Sequence, residues 1–265
     1  MWDMSRPNIL SITSLNDIER LSSDDLLALA RNLFINYHAI FDDIKYIVKL
    51  DSNNFSKIIG LLKQSKSQIF QDLFVCFFSD FKRHGYFIEF GAASGVKLSN
   101  TYLLEKEYDW SGILVEPFQY WHDQIAANRN CIIDHACITG KSGDCYSIIG
   151  TLDPAETYIR EQKAGDTELN FPKVISLSLN DLIEKYNAPK IIDYISIDCE
   201  GGELEILETF DFKLRQVNML TIEHNFIENK YVSIRELMLD NGYIEIFKGI
   251  SRWDSWYIHP SLLGR

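Results

Sequence analysis

The run Tyr86-Phe-Ile-Glu-Phe-Gly-Ala-Ala-Ser-Gly95 constrains this chain more than any other stretch. Tyr86 to Phe90 is aromatic and aliphatic apart from one acid, the composition of a buried strand. It breaks at once into a Gly-x-x-x-Gly turn, and Lys97 to Tyr108 reads as a helix. Strand, glycine turn and helix in that order gather backbone N–H groups at one point, a place suited to an anionic or zwitterionic ligand. The dinucleotide fingerprint Gly-x-Gly-x-x-Gly is absent from the turn.

Strands and helices alternate from there on. Gly112 to Glu116 reads as a second strand, Tyr120 to Arg129 as a helix, and Cys131 to Ile138 as a third strand with its exit. Residues 141–172, rich in charge and irregular, read as an inserted loop with one short helix near Glu156 to Gln162. Val174 to Leu179, Ile191 to Asp198 and Val217 to His224 read as further strands, with helices over Leu179 to Tyr186, Gly201 to Phe210 and Val232 to Asn241. Tyr243 to Phe247 and Ser255 to Ile258 follow with no helix between them, so they pair as a hairpin and one strand runs antiparallel. The fold class is α/β: a doubly wound, mostly parallel Rossmann-like sheet with a C-terminal antiparallel hairpin.

An N-terminal helical extension precedes it. Apolar residues at Leu26, Leu29, Leu33, Tyr37, Ile40, Ile44 and Ile47 recur at steps of three and four, the mark of an amphipathic helix. Helices around Phe55 to Leu62 and from Ser67 to Arg83 complete it, so the expected division is 1–84 and 85–265. The extension is expected to cover one edge of the sheet, or to act as a lid or homo-oligomer arm.

The formal charge of −12, with no basic run, argues against a nucleic-acid partner. No apolar stretch approaches the roughly 20 residues of a spanning helix. The N-terminus lacks a secretory pattern, and the five cysteines are odd in number with no CxxC pairing. A cytoplasmic location is the expectation.

Ligands of doubly wound sheets bind beyond the carboxyl ends of the strands, so the residues that matter are those each strand presents as it ends. Glu116, before Pro117, lies 25 residues beyond Gly91. An acid at about that spacing accepts both hydroxyls of a ribose, which points to an adenosine-bearing cofactor without saying which one. Asp134 and the backbone to Ala136 end the third strand on the same rim and are candidates for the adenine edge. Asp198 and Glu200 flank Cys199 at the end of a buried strand, and Glu223-His224 ends the next. A reaction at an acceptor hydroxyl needs its proton removed by a base or a metal; Asp198, Glu200, Glu223 and His224 are the candidates. Asp198, Glu200 and Glu223 are also oxygen ligands for a hard cation, although no spacing enforces this and no metal is expected.

An acid in the strand followed by Gly-x-x-x-Gly resembles motif I of the class I S-adenosylmethionine (SAM)-dependent methyltransferases, which also close a parallel sheet with a C-terminal hairpin. The resemblance narrows with Ser67-Gln-Ile-Phe-Gln-Asp72, Ser99-Asn-Thr101, Leu104-Glu105, Trp110-Ser-Gly-Ile-Leu-Val-Glu-Pro117, Asn128-Arg129 and Asp193-Tyr-Ile-Ser-Ile-Asp-Cys-Glu-Gly-Gly-Glu-Leu-Glu-Ile-Leu207. In that order these elements resemble the FkbM family of SAM-dependent methyltransferases over about residues 67–260. The resemblance implies O-methylation, commonly of a sugar hydroxyl. It places Glu89, Gly91, Gly95 and Asn100 around the methionine portion of the cofactor with the turn residues Ala92 and Ser94, Glu116 and Pro117 at the ribose, and Asp198 and Glu200 on the catalytic rim. Gly202 stands where the family usually has another small residue, and the first third of the chain lies outside the match. The leading expectation is a SAM-dependent O-methyltransferase of a small hydroxylated acceptor, most simply a carbohydrate. A non-catalytic interaction module on the same fold, or a nicotinamide-dependent oxidoreductase, are the alternatives.

Overall fold

The structure is a computed structural model that describes residues 52–149, 158–161, 172–199 and 201–263. The amphipathic helix read over residues 26–47 and the candidate Glu200 lie outside the described residues.

The central sheet has seven strands: β1 (Tyr86–Phe90), β2 (Ser111–Val115), β3 (Ile132–Asp134), β8 (Ile191–Ile197), β9 (Gln216–Glu223), β10 (Ile244–Ile246) and β11 (Asp254–Ile258), in the order β10-β11-β9-β8-β1-β2-β3. All pair in parallel except β11, which runs antiparallel to both β9 and β10. The expected hairpin is therefore present. Strand β1 pairs with β2 on one side and β8 on the other. The order reverses there, opening a crevice at the carboxyl ends of β1 and β8.

Helices cover both faces, and alternation along the strands feeds two cores. Ile88 and Phe90 of β1 join Ile195 and Ile197 of β8 and the helices α5 (Leu179–Lys185), α6 (Glu203–Thr209) and α7 (Glu228–Asp240). Phe87 and Tyr194 face the other way, against α2 (Gln71–Phe78), α3 (Tyr102–Tyr108) and α4 (His122–Asn128). A further helix, α1 (Ser52–Leu61), precedes α2. Helix α2, which the sequence assigns to the extension, buries Leu73, Phe74, Val75 and Cys76 in this core beside Trp256.

A second sheet, β4-β7-β5-β6, forms from β4 (Cys137–Thr139), β5 (Cys145–Ile149), β6 (Tyr158–Glu161) and β7 (Lys173–Ser178). It corrects two expectations. The inserted region holds the antiparallel pair β5–β6 where a short helix near Glu156 to Gln162 was expected, because Tyr158–Glu161 pairs along the free edge of β5; cross-strand pairing overrides local propensity. The third strand is in fact two: Asp134 Oδ1 accepts the Ala136 N–H at 2.8 Å, an Asx turn that ends β3 and sends β4 to the second sheet.

Two helices are shorter than their apolar spacing predicts. Leu98 has φ +65°, which no helix tolerates, so α3 starts only at Tyr102. Phe70, Asp80 and Phe81, at φ +68°, +52° and +53°, bound α2 in the same way.

Candidate active site

The first strand delivers a buried acid to the crevice. Both oxygens of Glu89 are engaged: Oε1 accepts the Asn100 N–H at 2.6 Å, and Oε2 accepts the hydroxyls of Ser99, at 2.9 Å, and Thr101. Burial pushes the Glu89 carboxyl up from the ordinary range, against the opposing pull of Arg129 and these hydrogen bonds. Arg129 is the second organiser. Its buried guanidinium donates to Glu105 Oε2 at 2.7 Å, to the Gly95 carbonyl and Ser99 Oγ at 3.0 Å, and to Thr101 Oγ1 at 2.8 Å. One acid and one cation, 3.8 Å apart, thus hold residues 95–101 together.

The turn itself is packed tightly. Gly91 has φ +72°, and a Cβ there would stand 2.3 Å from the Asp198 carbonyl oxygen. Gly95, at φ +73°, lies against the Arg129 side chain. Ala92 is buried, and the half-buried Ser94 accepts the Asn128 side-chain amide on its carbonyl at 3.0 Å. Asn100 donates its Nδ2 to Ser196 Oγ on β8 at 2.9 Å, while its buried Oδ1 receives no donor among the described residues.

Glu116 closes the next strand. It is 7% exposed, and its oxygens accept the Ala93 N–H and the Phe118 N–H at 2.8 Å each, tying the glycine turn to the turn after β2 through the half-buried Pro117. Burial pushes its carboxyl up to about 7, with the two N–H donors pulling the other way. Asp134 is bound to the Ala136 N–H and to Lys185 Nζ, the latter at 2.7 Å. Burial would raise its carboxyl, but Lys185 and the Ala136 N–H leave it below the ordinary range.

Across the crevice, Cys199 and Gly201 donate their backbone N–H groups to Glu203 Oε1 at 3.1 Å, and Glu203 Oε2 meets Lys230 Nζ at 2.6 Å. His224 accepts the Phe226 N–H on Nδ1 at 3.2 Å. In the neutral ring that leaves Nε2 carrying its proton as a donor. Burial lowers the basicity of His224, against the pull of a hydrogen bond to the Asp254 backbone, and Lys230 lowers it further. Glu223 accepts the Asn225 side-chain amide at 2.7 Å. Opposite Glu223 on β11 stands Asp254, pushed up to about 6 by burial despite donors from Gln71 and Trp256. Among the described residues no group of three or more His, Cys, Asp or Glu side chains is placed to hold a metal ion.

The predicted residues Glu89, Gly91, Ala92, Ser94, Gly95, Asn100 and Glu116 therefore converge on one turn, with Asp198 against it. Asp134 and Ala136 close on each other beyond Glu116. Arg129 and Glu203 stand in the sequence motifs, yet the sequence reading gives neither a role and passes over Lys230. The first two adjoin named motif residues. Lys230 carries no signal in the sequence, since only the packing of α7 on α6 brings it in.

The Methyltransferase FkbM domain matches residues 89–245, more than half of the chain. The chain belongs to the FkbM methyltransferase family. The FkbM domain begins at the acid of β1 and runs into β10, so it takes in the whole carboxyl-end rim of β1, β2, β3, β8 and β9. It is a SAM-dependent methyltransferase, and its cofactor is SAM. No curated protein sequence matches at a significant level. Among solved structures, precorrin-6y C5,15-methyltransferase from Geobacter metallireducens GS-15 is similar at 12% identity and a TM-score of 0.39, covering 66% of this chain and 71% of that one. A SAM-dependent methyltransferase from Aquifex aeolicus is similar at 10% identity and a TM-score of 0.33, covering 79% and 97%. Likeness at this level adds nothing to the FkbM assignment. Among the described residues no helix is long and apolar enough to cross a membrane.

Proposed function

We propose that this FkbM domain transfers the methyl group of SAM to a hydroxyl of a small acceptor, most simply a sugar of a glycan or natural product. The observation that carries the reading is the meeting of Asp198, at the end of β8, with the glycine turn of β1. The Asp198 backbone carbonyl packs on Gly91 where the strand order reverses, which supports a role for Asp198 in the crevice. SAM supplies an electrophilic methyl group on a sulfonium, and the chain's own residues bind, orient and deprotonate.

The residues present fit that cofactor. Among the described residues Asn100 Oδ1 is a buried acceptor without a donor, the partner an ammonium group needs. Among the described residues Glu116 has two N–H donors and no cation, and a carboxylate accepts about four hydrogen bonds, so two directions remain for a ribose diol. Glu89 holds Asn100 in place and is a positioning group. Asp198 takes the acceptor proton, with Glu200 as the other motif acid. His224 is the weaker candidate because its accepting nitrogen already faces the Phe226 N–H. Positioning for in-line attack supplies most of the rate.

Titration with S-adenosylhomocysteine beside NAD, followed by radiolabelled methyl transfer from SAM to a panel of methyl glycosides, tests the reading. Saturable binding of S-adenosylhomocysteine alone and label on a sugar hydroxyl are expected. Binding without transfer to any hydroxylated acceptor would overturn the O-methylation, and NAD binding would overturn the cofactor site.

A further inference from the structure

The peptide unit joining Asp198 to Cys199 is gripped at both ends. Its carbonyl oxygen packs on Gly91, where a Cβ would stand 2.3 Å from it. Its N–H donates to Glu203 Oε1 at 3.1 Å, and the Gly201 N–H reaches the same oxygen at 3.1 Å. A trans peptide is planar, with C=O and N–H pointing in opposite directions. One rigid plate therefore spans the distance from the glycine turn after β1 to the first turn of α6.

Glu203 is fully buried, and Lys230 on α7 meets its second oxygen at 2.6 Å. The ammonium balances a charge that burial would otherwise strand. The carboxylate then serves as a charged acceptor for two N–H groups, stronger than any neutral acceptor there. A helix-capping acid needs no buried cation behind it; this one has a partner brought in from a separate helix.

We propose that Glu203 is a positioning residue of the methyltransferase site, with Lys230 as its counter-charge. It sets Asp198 against the glycine turn and so fixes the width of the crevice between β1 and β8. The role rests on the reading of Asp198 and Gly91 as site residues. It divides the work among the acids of the Asp198-Cys199-Glu200-Gly201-Gly202-Glu203 motif, the last of which holds the turn and does not touch the reacting atoms.

Three variants test this by calorimetric titration with S-adenosylhomocysteine, each measured well below its unfolding midpoint so that lost stability does not enter. Glu203→Ala with Lys230→Met removes the grip without stranding a charge, and binding about tenfold weaker is expected, the worth of a charge-assisted hydrogen bond. Glu203→Gln with Lys230→Met restores a carbonyl acceptor for the two N–H groups, so affinity within about threefold of the unaltered protein is expected. Glu203→Asp keeps the charge opposite Lys230 but withdraws the oxygens by one methylene. It is expected to bind weakly too, and it decides the matter should the alanine variant not fold. Amide exchange at Cys199 and Gly201 should quicken in the alanine and aspartate variants alone. Unchanged affinity in either of these two would overturn the positioning role and leave an ordinary buried ion pair. An unaltered protein that binds no S-adenosylhomocysteine would overturn the reading of the crevice instead.

Discussion

Glu116→Gln separates what this acid does for the site from what it costs the fold. In the folded chain its carboxyl is pushed from 4.5 up to about 7 by burial. Below 4.5 the group is protonated whether the chain is folded or not, and it contributes nothing. Between 4.5 and about 7 the unfolded chain gives up the proton while the folded chain keeps it, so stability falls as pH rises. Above about 7 both forms are ionised and the penalty is complete. At about 1.4 kcal/mol per tenfold change in proton concentration, it comes to about 3 kcal/mol. Glutamine cannot ionise. Its amide replaces one acceptor facing the Ala93 and Phe118 N–H groups, a loss of about 1–3 kcal/mol that does not depend on pH. The stability of the variant minus that of the unaltered protein should therefore climb by about 3 kcal/mol from about pH 4.5 to about pH 8. Urea denaturation of both proteins across that range measures the climb without knowledge of the constant offset. A difference that stays flat would refute the argument that burial without a cation raises Glu116. The same variant should bind S-adenosylhomocysteine poorly at every pH.

Other expectations follow from the same geometry. In the unaltered protein, S-adenosylhomocysteine affinity should tighten as pH rises through about 7 and Glu116 becomes a full acceptor; a pH series of calorimetric titrations reads this, and a flat profile would remove Glu116 from the ribose. Arg129→Met takes the cation from buried Glu89 and leaves Glu105 with Lys106 alone; it should cost about 3–5 kcal/mol in urea denaturation, with loss of cofactor binding as residues 95–101 loosen. Gly91→Ala must place a methyl group 2.3 Å from the Asp198 carbonyl oxygen at φ +72°; loss of S-adenosylhomocysteine binding is expected, and unchanged affinity would show that the crevice can widen freely. Asp198→Asn should abolish methyl transfer while cofactor affinity persists, and full turnover would move the base elsewhere.

Much of the fold is legible in the sequence because its signals are local. The buried strands β1, β8 and β9 announce themselves as short β-branched and aromatic runs, and the missing helix between β10 and β11 foretells the hairpin. The departures share a cause as well. The strand β6 and the break between β3 and β4 depend on partners far away in the chain or on a single side-chain-to-backbone bond. The late start of α3 follows the positive φ of Leu98, beside which Glu89, distant in the sequence, takes the Asn100 N–H and the Ser99 and Thr101 hydroxyls.

The sequence by itself determined the family, the parallel sheet and the set of acids and glycines at the strand ends, because strand–turn–helix order and residue spacing are properties of the chain. Only the tertiary structure decided which of those polar groups are already spoken for. Glu89 already holds three donors from residues 99–101, His224 has its accepting nitrogen filled, and Asn100 Oδ1 stays without a donor among the described residues. Glu203 became a support for Asp198 only when α7 delivered Lys230 to it. A hydrogen bond is decided by where two atoms stand within about 3 Å, and for groups on different helices and strands that distance is fixed by packing.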